Sequence, residues 1–281
     1  MSQRTPAQAA ELALLLEVAG TPKPGNVDRH RDLDDLRFEH FLAGAVGARP
    51  GLAAAAAGDP VGESFERAVA GMADQRGGNT QFGALLLLVP LVAATEGDGP
   101  PSRDAVERVL AETTVADAAA FYRAFDHVAV LVGEPPADAP DLDVRRGSDA
   151  VPDVEARGIS LAAVMERSAP KDGVAAEWSN GFERTFASAD RLAAGDGPIL
   201  DRTADTFLAL LADEPDSLVA TKHGDDVARS VSERASTLLD APRADVEAFA
   251  DDLVKGGINP GTTADVTAAA LYVALQRGVP V

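Results

Sequence analysis

An all-α fold, a single multi-helix domain over residues 1–281 with its site built from helix-connecting loops, is what this sequence predicts. Three observations lead there. Apolar residues recur at three- and four-residue spacing along nearly every segment, β-branched alternation is scarce, and Gly, Pro and Asn cluster between the periodic stretches.

Taken in order, the first helix runs from Ala7 to Ala19, with Thr5 as its cap and Pro6 at the first helical position, where a missing N–H costs nothing. The second runs from Leu33 to Val46, and Asp32, Asp34 and Asp35 suit its positive N-terminus. Further helices are expected over Gly62 to Ala73, Thr80 to Ala94, Ser102 to Glu112, Val115 to Val132, Ser160 to Glu166 and Gly173 to Ala189. The C-terminal part adds Ile199 to Ala212, Asp225 to Leu239, Arg243 to Lys255 and Thr262 to Gln276. Gly133 to Asp153, holding Pro135, Pro136, Pro140 and Pro152, reads as a linker; the motifs on both sides of it imply that the two halves pack together.

The chain carries 45 acidic against 25 basic residues, a formal charge of −20, spread along its length with only four lysines, Lys23, Lys171, Lys222 and Lys255. That surface is adapted to high salt, where screening removes self-repulsion, and reads as a halophile's cytoplasmic protein. It repels nucleic acid and anionic membranes, so neither is an expected partner. The longest apolar run, Ala84 to Thr95, is broken by Pro90 and too short to span a bilayer. The absence of Cys excludes disulfides, thiolate zinc and a cysteine nucleophile. Met1 to Pro6 lead into an amphipathic helix without a signal-peptide core.

Three turn-rich motifs carry the chemistry: Thr21-Pro22-Lys23-Pro24-Gly25-Asn26-Val27-Asp28, Gly77-Gly78-Asn79-Thr80-Gln81-Phe82-Gly83, and Gly257-Ile258-Asn259-Pro260-Gly261-Thr262-Thr263-Ala264-Asp265. Each leads toward a helix, and helix N-termini with Gly-rich turns hold phosphate. In the first, Lys23, Asn26, Asp28, Arg29, His30, Arg31 and Asp32 suit a polyphosphate with magnesium, or form a charged connector to the next helix. In the second, Asn79 or Thr80 is a helix cap beside two glycines that allow close ligand approach. In the third, Thr262 and Asp265 have capping-box spacing, the alternative to a catalytic role for Asp265. Asp216-Ser217-Leu218 through Lys222-His223-Gly224 adds a rare Lys and a carboxylate for a metal or hydroxyl. Trp178 suits either base stacking or core packing. His40 and His127 read as core or boundary residues.

As an ordered set, these motifs, with Thr113-Thr114-Val115-Ala116-Asp117-Ala118 between them, resemble the triphosphoribosyl-dephospho-CoA synthase family over almost the whole chain. The resemblance implies an all-α transferase that takes ATP with magnesium and moves its 5-triphosphoribosyl group from adenine to the 2′-hydroxyl of dephospho-CoA. It implies Asp28, Asp216 and Asp265 as catalytic carboxylates. Taken with the residue reading, Lys23, Gly25, Asn26, Arg29, Gly78, Asn79, Thr80, Lys222, Asn259, Gly261 and Thr262 are expected as nucleotide and phosphate contacts, and Asp28, Asp32 and Asp216 as magnesium ligands, Arg29 and Asp32 from the residue reading alone. Two departures stand out: Gln81-Phe82 replaces the family's His-Lys, and Arg29 to Asp34 replaces its Asn-Ser-Gly-Ala-His-x-Asp-Met stretch. The other open readings are a magnesium-dependent N-ribosyl hydrolase and a non-catalytic nucleotide-binding protein. The large helical apolar area suits a homodimer.

Overall fold

The computed structural model describes residues 4–95, 99–135 and 139–281. Its helices in chain order are α1 (Pro6–Ala19), α2 (Phe38–Ala56), α3 (Val61–Met72), α4 (Phe82–Ala93), α5 (Arg103–Ala111), α6 (Val115–Ala124), α7 (Val151–Arg157) and α8 (Leu161–Ser168). There follow α9 (Gly173–Ser179), α10 (Glu183–Ala194), α11 (Ile199–Asp213), α12 (Ser217–His223), α13 (Asp225–Ser236), α14 (Arg243–Lys255) and α15 (Gly261–Gln276). Among the described residues there is no strand, only an isolated bridge between Asp28 and Arg31. No described helix is long and apolar enough to cross a membrane.

Two helices form the interior. Phe82–Ala93 contains no charged residue, and a helix that is apolar all round has to be buried. α15 is Ala- and Val-rich and buried from Thr262 to Ala274 except at Asp265. Around this pair pack α1, α10 and α11, and a single hydrophobic cluster runs from Ala7 in α1 to Ala274 in α15. A smaller cluster joins α11, α13 and α14 through Phe207, Val231 and Phe249.

Local chemistry explains most boundaries. α1 starts with a capping box: Gln8 N–H donates to Thr5 Oγ1 at 3.3 Å, and Thr5 N–H donates to Gln8 Oε1 at 3.0 Å. α6 starts likewise with Thr114 and Asp117, and the other Asp117 oxygen accepts from Gly62 N–H at 2.8 Å, tying α3 to α6.

Four expectations need correction. The second helix begins at Phe38 rather than Leu33, because Asp32 accepts the Phe38 N–H at 2.8 Å and residues 33–36 close a turn first. It then runs through Pro50 to Ala56, since Gly44, Gly47 and Gly51 seat it closely on α3 while Pro50 stays exposed. The helix expected over Gly173 to Ala189 breaks at Asn180-Gly181-Phe182, where Gly181 and Phe182 take left-handed backbone (φ 70° and 60°). Buried Glu177 on α9 stabilises the break by accepting the N–H groups of Arg184 and Thr185, which open α10. The Val115 helix stops at Ala124, and the loop-like stretch around Lys222 contains α12.

The expected linker is also more ordered than its composition implies. It holds 3₁₀ turns over Pro140–Leu142 and Val144–Ala150 and then α7, with Leu142 and Val154 in the main cluster. Tyr122 Oη donates to the Leu142 carbonyl at 2.7 Å. Pro136 lies outside the described residues.

The α2–α3 contact is the most sensitive to volume. A Cβ on Gly47 would lie 2.1 Å from the Gly71 carbonyl oxygen, and one on Gly51 would lie 2.3 Å from the Ala68 nitrogen. Gly47→Ala is therefore expected to lower stability by about 1–3 kcal/mol, as overpacking does, read as a drop in thermal midpoint in high salt. An unchanged midpoint would show that the two helices are not in this close contact.

Candidate active site

The loop motifs converge on the start of α15. The loop after α1 is stiffened by Pro22 and Pro24 and held from inside by Lys23. The Lys23 side chain is fully buried; Nζ donates to the buried carboxylate of Glu17 on α1 and to Asn26 Oδ1 at 3.0 Å. Asn26 Nδ2 in turn donates to Asn259 Oδ1 at 2.8 Å, so a continuous polar chain runs from α1 to the turn that precedes α15. Gly25, with φ 75°, makes this approach possible, because a Cβ there would lie 2.2 Å from the Ile258 carbonyl oxygen.

Asp28 is also an internal fastener. It accepts the N–H groups of Lys23 (3.1 Å) and His30 (2.8 Å) and the Arg31 guanidinium (3.0 Å). Arg31 continues to Glu247 and Asp251 on α14. Asp216 caps α12 by accepting Leu218 N–H and Val219 N–H, while its second oxygen accepts Thr263 N–H and Oγ1–H, both at 2.8 Å. The capping-box pairing of Thr262 with Asp265 is therefore absent: the carboxylate that caps α15 comes from α12. Thr262 Oγ1 instead pairs with Ser217 Oγ at 2.9 Å, and Ser217 Oγ also accepts Gly173 N–H from α9 at 3.0 Å.

Asp265 occupies the centre. It sits one turn into α15, partly buried, with its carboxylate against the start of α4: a Cβ on Gly83 would lie 2.1 Å from Asp265 Oδ2. Burial, then the negative charges of Glu17 and Asp216, push its carboxyl well above the ordinary value of 3.8, against the hydrogen bond from Ala84. Glu17 and Asp216 are raised mainly by burial, opposed by Lys23 and by the Thr263 donors respectively. The site is a cluster of acids in which Asp265, unlike Asp28 and Asp216, is not consumed by a set of strong donors.

The remaining expected residues spread outward. The cap position of α4 is Gln81 rather than Asn79 or Thr80, though Asn79 Oδ1 accepts the first helical N–H, that of Phe82, at 3.1 Å; Gly78 (φ 69°) has open space around it, and Thr80 faces α2. Gly261 allows α12 to approach, as a Cβ would lie 2.5 Å from Leu218 Cδ2. Arg29 is exposed beside Thr21, and exposed Lys222 donates to the Gly257 carbonyl at 3.3 Å next to His223. Trp178 is core: its Nε1–H donates to the Leu86 carbonyl at 3.1 Å. His40 takes the boundary role, its Nδ1 accepting Arg37 N–H at 3.2 Å.

Asp28, Asp32 and Asp216 do not make a magnesium cage. Each carboxylate is engaged by its own donors, Asp32 at the start of α2, and among the described residues no three His, Asp or Glu side chains group to hold a metal ion. Residue types and spacing missed Glu17, Gly83's contact and Thr263. Glu17 had a readable signal, because it follows Ala10, Ala13 and Leu14 on the buried face of α1.

An all-α protein with buried acids and several helix N-termini gathered at one point is a candidate for chemistry on an anionic, phosphorylated substrate. The chain belongs to the family described as CitG, ATP:dephospho-CoA triphosphoribosyl transferase, whose model matches residues 3–279. It is similar to a crystal structure described as that of a "putative triphosphoribosyl-dephospho-coA synthase" from Archaeoglobus fulgidus: TM-score 0.70, 27% identity, 85% of this chain and 99% of that one covered. No curated protein matches.

The raised Asp265 has a consequence for stability. The folded chain holds this proton more tightly than the unfolded chain, so stability is fully present below 3.8 and falls as pH rises toward the folded value. Asp265→Asn cannot ionise and is expected to melt a few degrees higher than the parent at neutral pH, with the difference vanishing below pH 3.8. A lower midpoint for the variant at neutral pH would contradict the raised value.

Proposed function

We propose that the first turns of α15 and α4 form the reaction centre at which the triphosphoribosyl group of ATP passes to the 2′-hydroxyl of dephospho-CoA. The C1′–N9 bond breaks and leaves its electron pair on adenine, while the C1′–O2′ bond forms. The hydroxyl proton passes to Asp265 and is returned to the departing purine, so the products are neutral adenine and the ribosylated acceptor. The observation that carries this reading is Asp265: a partly exposed residue whose carboxyl has elevated proton affinity and is held beside two helix N-termini.

The other residues divide by what they touch. Lys23 and Asp28 act as internal ties rather than as phosphate or substrate ligands, because both are buried and paired within the protein. Asp216 does the same for α12 and α15. Phosphate falls to the N-terminus of α15 around Gly261 and Thr262, with Asn259 and Lys222, which meets the Gly257 carbonyl, as the more exposed polar and cationic groups of that turn; Arg29 is the exposed cation of the loop after α1. The negative cluster also favours the ribosyl cation character that develops as N9 leaves. Magnesium enters this reading only as the counter-ion that ATP brings with its triphosphate.

The test is adenine release, followed by chromatography with mass detection in concentrated potassium chloride, from ATP and magnesium with and without dephospho-CoA. Adenine that requires dephospho-CoA, with a triphosphoribosyl adduct, is expected. Adenine without an acceptor would replace this reading by a hydrolase, and ATP binding without adenine by a binding protein. Gly83→Ala, which forces the Asp265 carboxylate aside, is expected to lower kcat/KM by about 100-fold, the scale of losing a positioned general base, with folding retained by circular dichroism. Wild-type activity in that variant would remove Asp265 from the reaction.

A further inference from the structure

The beginning of α4 holds polar groups that the mechanism does not use. Both ends of the Gln81 carboxamide, Oε1 and Nε2, are buried without a hydrogen-bond partner, and so is Thr80 Oγ1 beside them. Gln81 is only 3% exposed. The two side chains face α2 where it has none of its own: a Cβ on Gly44 would lie 2.6 Å from Thr80 Oγ1 and 3.2 Å from Gln81 Oε1. Desolvated donors and acceptors left unpaired cost stability, and a fold that keeps three together keeps them for something that pairs with them.

The position of the group narrows what that is. Gln81 lies two residues before Gly83, the residue in contact with Asp265, so the carboxamide is at the same end of α4 as the carboxylate proposed to act at C1′, on the side that faces α2. A carboxamide offers an acceptor beside a donor. Adenine offers the complement on one edge, N6–H as donor and N7 as acceptor, and guanine replaces the donor with an O6 acceptor. Gly77 to Thr80, immediately before Gln81, are all partly exposed, so the buried carboxamide directly follows a turn at the surface.

We infer that Gln81, assisted by Thr80, reads the adenine base of ATP: Oε1 accepts from N6–H, Nε2–H donates to N7, and the second bond stabilises the electron pair left on the departing purine. This rests on the transferase reading for its substrate, but it is a statement about binding and is tested as one. Sites that hydrogen-bond a substrate reject analogues that leave their polar groups unpaired.

Equilibrium binding by calorimetry in high salt, without acceptor, compares ATP, GTP and 7-deaza-ATP, which lacks the N7 acceptor. The unmodified protein is expected to bind ATP about 10- to 100-fold more tightly than either analogue, the usual range for one bidentate base contact. In Gln81→Leu the three are expected to bind alike, with a thermal midpoint equal to or above the parent's because unpaired polar atoms are gone. Equal binding of ATP and 7-deaza-ATP by the unmodified protein would overturn the inference without any variant. Retained selectivity in Gln81→Leu would do so too, and would assign the carboxamide to a buried water. Base selectivity in binding with no adenine released on adding dephospho-CoA would leave this inference standing and remove the transferase reading instead.

Discussion

A helix buried for most of its length still has an N-terminus whose first N–H groups find no partner within the helix. α15 is in that position, and Asp216 meets the need from another helix through its bonds to Thr263. The rest of the site follows from this. Asp216 draws α12 in, Ser217 brings α9 with it, and the turn before α15 is clasped by Asn26 from the loop after α1. Three separated stretches of sequence are linked to one buried helix start, two of them directly and α9 through Ser217.

The same arrangement concentrates negative charge. Glu17, Asp216 and Asp265 would repel one another in a dry interior if all were ionised without help. Lys23 neutralises the first and a set of N–H and O–H donors stabilises the second. Asp265 carries what is left, and that residual difficulty suits the base proposed here: its proton is held more strongly than a surface carboxylate's, on a residue that is not fully buried. In the proposed role, stability is given up locally for reactivity, beside Asp28 and Asp216 whose oxygens are paired.

Much of this was legible. The α1 capping box, the charge-free α4 and the α14 boundaries follow from local rules, and the fold prediction inherits their reliability. Glu17 was legible in principle as an acid on an apolar face, in a chain where 45 acids otherwise obscure any one of them. α12 was not, since seven residues between an acidic lead and a Gly carry too little periodicity to announce a helix. Nor was the passage of α2 through Pro50, because it depends on how closely Gly47 meets Gly71.

By itself the sequence determined the class of structure and the place of most helices, since helical period, caps and Gly-Pro punctuation act over a few residues. It also singled out the loops that meet at the start of α15. The tertiary structure alone decided what each side chain does there. Lys23 and Asp28 have the composition of phosphate and metal ligands, but their direction is set by Glu17 on α1, Arg31 and the loop's own backbone, so they turn inward. Asp265 has the spacing of a capping residue, but Asp216 fills that role across space and leaves Asp265 facing Gly83. Spacing along a chain places a functional group; only the packing of distant segments orients it and sets its charge.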